Sequence, residues 1–449
     1  MANDGLFSIN KQQLRGLLNA LSGFVGKGDI MLALSCVNFD VEGETLTLGV
    51  YGGESKARIR VKLQHPACGS RRAAAVSFKE LAKFVKLEHA NEEVFDSFET
   101  LNIEFGDTIT PDSFRCLSMK FNSVDKVCEL GAHNRKLTLP SAGDWFDDFE
   151  IKDPQATEFR ESFPSAKRLI QAIETVETAA GKDESRINLC GVCIDFPLTG
   201  GFRFATTDGR IAAEAEIDPS KYKGEPVEYK RIFFPNKTAG ALKKAFALAK
   251  SIEAELSEAA KSVRIVKPRL RKNDKPEAIV QNPTQLSFNI PAGEMTVEIP
   301  GIKAIFPNTK QIFEKAIAAE HATWEVSAES FTALVGEASA IIGHGDEPML
   351  LKFHGNELTA SCRSLVLRGA SFSGKIQTTE GENVGATEED GKPKEAWFLP
   401  ELLLRSLKNL SGTVLVRIAD KRSVMLLEAK AEGMKICKAV LPYRKRDDE

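Results

Sequence analysis

The chain has 449 residues, of which 42% are hydrophobic and 27% charged, with a formal net charge of −3 at pH 7. That length predicts about three domains of ~150 residues, and no apolar run approaches the ~18 residues that span a membrane. The first residues, MANDGLFSINKQQL, lack the basic-then-apolar plan of a secretory signal, so a cytoplasmic setting is expected. The mildly acidic total argues against a general nucleic-acid-binding coat but is compatible with a basic surface confined to one face.

In chain order, an amphipathic helix is expected over 8–23, SINKQQLRGLLNALSG, with Ser8 as its N-cap. Two alternating runs follow over 30–51, broken by Glu42-Gly43-Glu44, and then a second helix over 77–88, SFKELAKFVKLE. The same order recurs from residue 165. SAKRLIQAIETVETAA reads as a helix, residues 186–217 as a strand pair, and NKTAGALKKAFALAK (236–250) as another helix. It recurs again from residue 327, with SAESFTALVGEASAII, the run MLLKFHGNELTASC and the helix LPELLLRSLKNL (399–410). Helix, strands, helix, strands three times over is a repeat of architecture with little identity between copies. The expected domains are 1–155, 156–318 and 319–449. Two segments stand outside the plan. A basic insertion over about 251–282 holds KSVRIVKPRLRKNDK, and an acidic, glycine-bearing stretch covers about 377–395; both read as surface loops.

Motifs that would nominate an enzyme are weak. Cys190-Gly-Val-Cys193 has redox or half-zinc spacing, but it lies in the apolar run LCGVCIDF, which reads as a strand. Residues three apart on a strand point to opposite faces. The eight cysteines are scattered, a reducing compartment would keep no disulfide framework, and the histidines form no ligand-spaced cluster. Neither a metal nor a cofactor is expected, and no nucleophile is paired with a base. A thiol oxidoreductase using Cys190 and Cys193 remains the enzymatic alternative. The stretch FATTDGRIAA (204–213) places Asp-Gly between alternating runs, which is a hairpin signal.

Basic residues recur on helix faces. Lys79, Lys83 and Lys86 share one face at spacings of four and three, and Arg405 and Lys408 pair in the same way. Lys11 and Arg15 share a face, while Lys167 and Arg168, and Lys243 and Lys244, are adjacent. Brought to one side, these faces would present a basic strip to phosphates.

Taken in order, KRLIQA (167–172), LCGV with FRFATTDGRIA (189–212), FPNT (306–309) and AVLPYR (439–444) resemble the bacterial DNA sliding clamps, the beta subunits of DNA polymerase III. The resemblance covers nearly the whole chain. It implies an α+β clamp fold of three similar domains, each with two helices packed on antiparallel sheets, closing a ring as a head-to-tail homodimer. It implies a non-enzymatic processivity factor whose partners are double-stranded DNA, bound without sequence reading, and the polymerase, clamp loader and other clamp-binding peptides. No membrane partner is implied. A clamp-fold scaffold that does not encircle DNA is the alternative. The basic faces above, together with Lys27, would then contact DNA. The implied peptide groove uses Leu189, Thr207, Gly209, Arg210 and Ile211 from the middle domain. Pro307 and Ile312 come from the linker, and Val440, Leu441, Pro442, Tyr443 and Arg444 from the C-terminal segment. Phe114 against Ile341 and Ile342 is the implied dimer contact. The sequence departs from the family pattern in four places. Only Arg210 separates Asp-Gly from Ile211, Leu399 and Leu402 stand where polar and aromatic residues are usual, five residues follow Arg444, and the basic insertion at 261–275 has no counterpart.

Overall fold

The computed structural model describes residues 6–26, 32–53, 55–63, 72–86, 116–122, 127–132, 135–140, 158–162, 166–196, 202–217, 230–251, 262–266, 284–290, 293–302, 304–318, 321–342, 347–364, 366–367, 370–380, 394–419, 421–431 and 433–444. Lys27 and Phe114 lie outside them, as do 267–283, 381–393 and the five residues after Arg444.

The chain runs three times through one plan. The first pass is β1 (Leu6–Asn10), α1 (Lys11–Leu21), the meander β2 (Cys36–Glu42), β3 (Thr45–Tyr51) and β4 (Lys56–Lys62), the return strand β5 (Arg72–Ser77), and α2 (78–86). A second meander, β6 (Cys116–Asn122), β7 (Val127–Ala132) and β8 (Arg135–Pro140), ends it. The second pass is β9 (Glu158–Ser162), α3 (Ala166–Glu177), β10 (Gly191–Phe196), β11 (Phe202–Thr207), β12 (Ile211–Ile217), β13 (Lys230–Pro235) and α4 (Asn236–Ser251). It closes with β14 (Ser262–Val266), β15 (Thr284–Ile290) and β16 (Gly293–Ile299), and a further helix α5 (Thr309–Ala318) follows. The third pass is β17 (Ala322–Ser327), α6 (Ala328–Ile342), β18 (Met349–His354), β19 (Glu357–Arg363), β20 (Ser371–Gln377) and the short β21 (Thr379–Glu380). It continues through β22 (Lys394–Phe398), α7 (Pro400–Leu407), β23 (Thr413–Ile418), β24 (Met425–Ala431) and β25 (Met434–Val440).

Two compact units emerge, Met1–Lys167 with Gly240–Gly301, and Arg168–Ala239 with Ile302–Glu449. The first holds a four-stranded sheet, β1-β6-β7-β8, and an eight-stranded sheet, β5-β2-β3-β4-β16-β15-β14-β9. The second holds a nine-stranded sheet, β13-β10-β11-β12-β25-β24-β23-β17-β21, and a four-stranded sheet, β20-β19-β18-β22. Each long sheet is two passes joined edge to edge. The fourth strand of one pass pairs antiparallel with the last strand of the next, β4 with β16 (Ile59 opposite Met295) and β12 with β25 (Ile211 opposite Val440). Alternation explains the strands: β3, TLTLGVY, buries Leu46, Leu48 and Val50 and turns the intervening residues outward.

Within the first unit α1 and α4 lie antiparallel, with Gly16 against Leu248 and Gly23 against Ala241. A Cβ at Gly23 would stand 2.5 Å from the Ala241 Cα, so glycine is required for that approach.

Several local expectations are corrected. Asn10, not Ser8, caps α1, its Oδ1 accepting from the Gln13 N–H at 3.1 Å, and Ser8 lies inside β1. Residues 262–266 of the basic insertion form β14, paired on both sides by β15 and β9, so that part is sheet and not loop. Gln377 ends β20, and Thr379–Glu380 pairs with β17 at Trp324, so the acidic stretch begins as strand. Among the described residues no helix is long and apolar enough to cross a membrane, and no group of three or more His, Cys, Asp or Glu is placed to hold a metal ion.

Candidate functional site

The site is built outward from the turn between β11 and β12. Asp208 Oδ1 accepts from the Arg210 and Ile211 N–H groups, both at 2.8 Å, and Thr207 Oγ1 accepts from the Gly209 N–H at 3.0 Å. Thr207 also donates to the Ile211 carbonyl at 2.6 Å, and Gly209 takes φ +89°. A side-chain-braced turn with glycine at positive φ is what Thr-Asp-Gly encodes.

Three elements converge on this turn within the second unit. Arg405 on α7 donates to Asp208 Oδ2 at 2.8 Å and to the Thr178 carbonyl at 3.1 Å, just beyond α3. The segment after β25 is tied in by its backbone. Leu441 N–H donates to the Arg210 carbonyl at 2.9 Å, and Tyr443 N–H donates to the Trp397 carbonyl at 2.7 Å. On the far side, Gly181 N–H donates to the Leu189 carbonyl at 2.8 Å, closing the 181–189 segment, and Leu189 Cδ1 lies 3.7 Å from where a Cβ at Gly209 would stand.

Two cavities open here and share Arg210, Leu399 and Leu402. The smaller, about 230 Å³, runs between the 181–189 turn and the start of α7, with Leu189, Asp208 and Arg405 in its wall. The larger, about 500 Å³, has an apolar floor of Leu399, Leu402, Leu441 and Pro442 beside Tyr443. Arg210, Arg422 and Arg444 complete its lining, with no acidic residue among them. Together they form a trough that fits a short extended segment with apolar side chains.

Of the expected groove residues, Leu189, Arg210, Leu441, Pro442, Tyr443 and Arg444 line these cavities. Thr207 and Gly209 shape the turn, while Ile211 and Val440 are buried partners in the β12–β25 ladder. Pro307 is half-buried and Ile312 is 38% exposed, and neither lines the two cavities. Arg422, on the β23–β24 turn, was not foreseen, because only the ladder β12-β25-β24 carries that turn to the site.

The basic positions sort unevenly. Arg15, Lys79, Lys83, Lys86, Lys167, Lys244 and Lys408 are exposed, whereas Arg168 and Lys243 are half-buried. Lys11 is only 4% exposed, since it directly follows the cap and faces inward, and Arg405 is committed to Asp208. Ile342 is 2% exposed and Ile341 half-buried, so Ile342 packs within its own chain.

The two thiols favour their protonated form. Cys190 ends the 184–189 turn instead of lying on β10, and its Sγ–H donates to the Asp183 carbonyl at 3.0 Å. Cys193 is buried within β10, and both are free. Burial pushes the Cys193 thiol well up, and burial with nearby Asp183 raises Cys190, so neither is held as a thiolate.

No family model and no curated protein matches the sequence. Solved structures do match in fold. The DNA polymerase III beta subunit of Thermotoga maritima is 14% identical with a TM-score of 0.72, over 98% of this chain and all of that one. The DNA polymerase III beta subunit sliding clamp of Pseudomonas aeruginosa, bound to griselimycin, is 15% identical with a TM-score of 0.72 over the same shares. The sliding clamp of Bacillus subtilis is 13% identical with a TM-score of 0.71, over 99% of this chain and all of that one. The fold is that of the DNA sliding clamp. The trough lies where the second pass meets the third, at the β12–β25 ladder.

Proposed function

We propose that this chain is a DNA sliding clamp, a non-enzymatic processivity factor. Two copies close head to tail around duplex DNA and tether a polymerase and other DNA-processing proteins through the trough at the β12–β25 junction. The observation that carries the reading is a pairing rule left incomplete. Twice within the chain the fourth strand of one pass pairs with the last strand of the next, but β20 and β8 have no partner on their outer edges among the described residues. Joining β20 of one copy to β8 of another repeats the same antiparallel step, and a two-fold rotation then closes a ring without open edges. The expected contact of Phe114 with Ile341 and Ile342 gives way in this reading to strand pairing between β20 and β8.

The exposed lysines of α2, Lys79, Lys83 and Lys86, supply a phosphate-directed face on a chain whose total charge is negative. Such a face attracts the duplex without reading bases and permits sliding. The raised thiols of Cys190 and Cys193 weigh against the oxidoreductase alternative.

The test is topological. The protein is loaded onto nicked circular DNA at moderate salt, and retention is measured before and after linearisation. Retention on the circle and rapid loss from the linear form are expected, with weaker loading after Lys79→Glu, Lys83→Glu and Lys86→Glu together. Equal retention on both forms would sink the ring reading and leave a scaffold that does not encircle DNA.

A further inference from the structure

We propose that the larger cavity selects acidic peptides. Its occupant is a short segment of a partner protein whose aliphatic side chains rest on Leu399, Leu402, Leu441 and Pro442, while flanking carboxylates pair with Arg210, Arg422 and Arg444. This rests on the groove reading above and names the chemistry that the groove selects.

Three observations converge on it. First, every charged residue lining the cavity is an arginine, although acids outnumber bases in the whole chain, 63 to 60. The positive potential there is local, and it complements a ligand carrying several carboxylates. Second, the neighbouring cavity carries both signs, with Asp183, Asp208 and Glu401 among Lys182, Arg186, Arg210 and Arg405. Arg405 is spent on Asp208. Arg210 and Arg444, both exposed, make no ion pair among the described residues; Arg210 stands between the two cavities and Arg444 lines the larger one alone. Third, arginine presents a planar fork of donors that matches a carboxylate bidentately. The aliphatic floor decides between macromolecules. Five of the eight lining residues are Leu, Pro or Tyr, which suits leucine-like anchors better than a phosphate backbone.

The experiment uses the full chain and two fluorescein-labelled probes, acetyl-Glu-Leu-Asp-Leu-Glu and its amide isostere acetyl-Gln-Leu-Asn-Leu-Gln, read by anisotropy at low and moderate salt. The acidic probe is expected to bind about tenfold more tightly, as charge-assisted pairing implies. The gap should narrow with added salt and in Arg210→Gln and Arg422→Gln. The exposed floor residue supplies the control, because Leu441→Ser should weaken both probes. If both probes bind equally and Leu441→Ser weakens both, the groove stands and acid selection is overturned. If Leu441→Ser changes nothing, or neither probe binds, the groove reading itself fails. Displacement of the acidic probe by a short single-stranded oligonucleotide of equal charge would assign the cavity to nucleic acid. Binding seen only after removal of residues 445–449 would assign it to the chain's own end. Either result overturns the proposal.

Discussion

Arg405 Nη1 donates to Asp208 Oδ2 at 2.8 Å, and that one contact joins helix α7 to the β11–β12 turn. The other oxygen of the same carboxylate holds the Arg210 and Ile211 N–H groups. The guanidinium also reaches the Thr178 and Ala180 carbonyls just past α3, where a helix leaves acceptors unpaired. A residue that sequence spacing assigned to a DNA-facing surface is therefore the clasp of the groove. Shape of the turn, placement of Leu399 and Leu402, and closure of the α3 end all depend on it.

Arg405→Met should cost about 2–3 kcal/mol, since it leaves a part-buried carboxylate and two carbonyls short of donors. Asp208→Asn should cost about 1 kcal/mol, because its amide oxygen still accepts from both turn N–H groups. Urea unfolding of the wild type, both single variants and the double variant measures the coupling, expected to be at least ~1 kcal/mol. A coupling near zero would remove the clasp.

What the sequence carried was local. Period-2 runs marked β3 and β12, and Asp-Gly marked the turn, because each depends on neighbours within a few residues. What it withheld was non-local. Nothing near Gly293 or Val440 tells that these strands join β4 and β12, since edges separated by more than 200 residues pair through burial and register alone. The same limit hid Arg422 and misassigned Arg405, whose partners lie far away in the chain. Lys11 failed for a smaller reason. Lys11 is the first residue of α1, directly after β1, and it is buried at that junction.

Gly209 offers a test of the turn that is conformational and not steric. Its φ is +89°, and an added Cβ would meet only Leu189 Cδ1 at 3.7 Å, an ordinary contact. Gly209→Ala should therefore destabilise by about 1–2 kcal/mol through backbone strain. Gly209→Asn should recover part of that, because asparagine tolerates positive φ better. Thermal melts of the two variants check the order, and equal melting of Ala and wild type would deny the strain.

The ring reading predicts the effect of crowding α6. Its outward residues Ala333, Gly336, Glu337 and Ala340 are small or polar, and Gly336 has open space around its missing Cβ. The other passes pair such a helix with a partner at close range, as Gly23 meets Ala241. Wild type should run at twice the 49.2 kDa chain mass in light scattering. Ala333→Arg should shift it toward the single-chain mass with unchanged circular dichroism. A dimer that survives this bulk would place the interface elsewhere.

The last prediction concerns Lys438, fully buried on β25, whose Nζ donates to the Lys408 carbonyl at 2.8 Å and reaches Thr178 Oγ1 at 3.5 Å. Burial, and then repulsion from the Lys408 ammonium, pull its pKa from 10.5 down to about 7. Below about pH 7 the folded and unfolded chains both hold the proton, but the folded one holds it in a buried site. Between about pH 7 and 10.5 only the unfolded chain remains charged, so this group makes stability rise with pH across that window. Lys438→Met removes the titration while keeping most of the side-chain volume. It should raise the melting temperature at pH 6 by several degrees relative to wild type, and the difference should shrink steadily towards pH 10. Melts at pH 6, 8 and 10 decide it. A constant offset would mean that Lys438 does not titrate in this window, and a lower midpoint at every pH would mean that its bond to Lys408 outweighs the cost of burial.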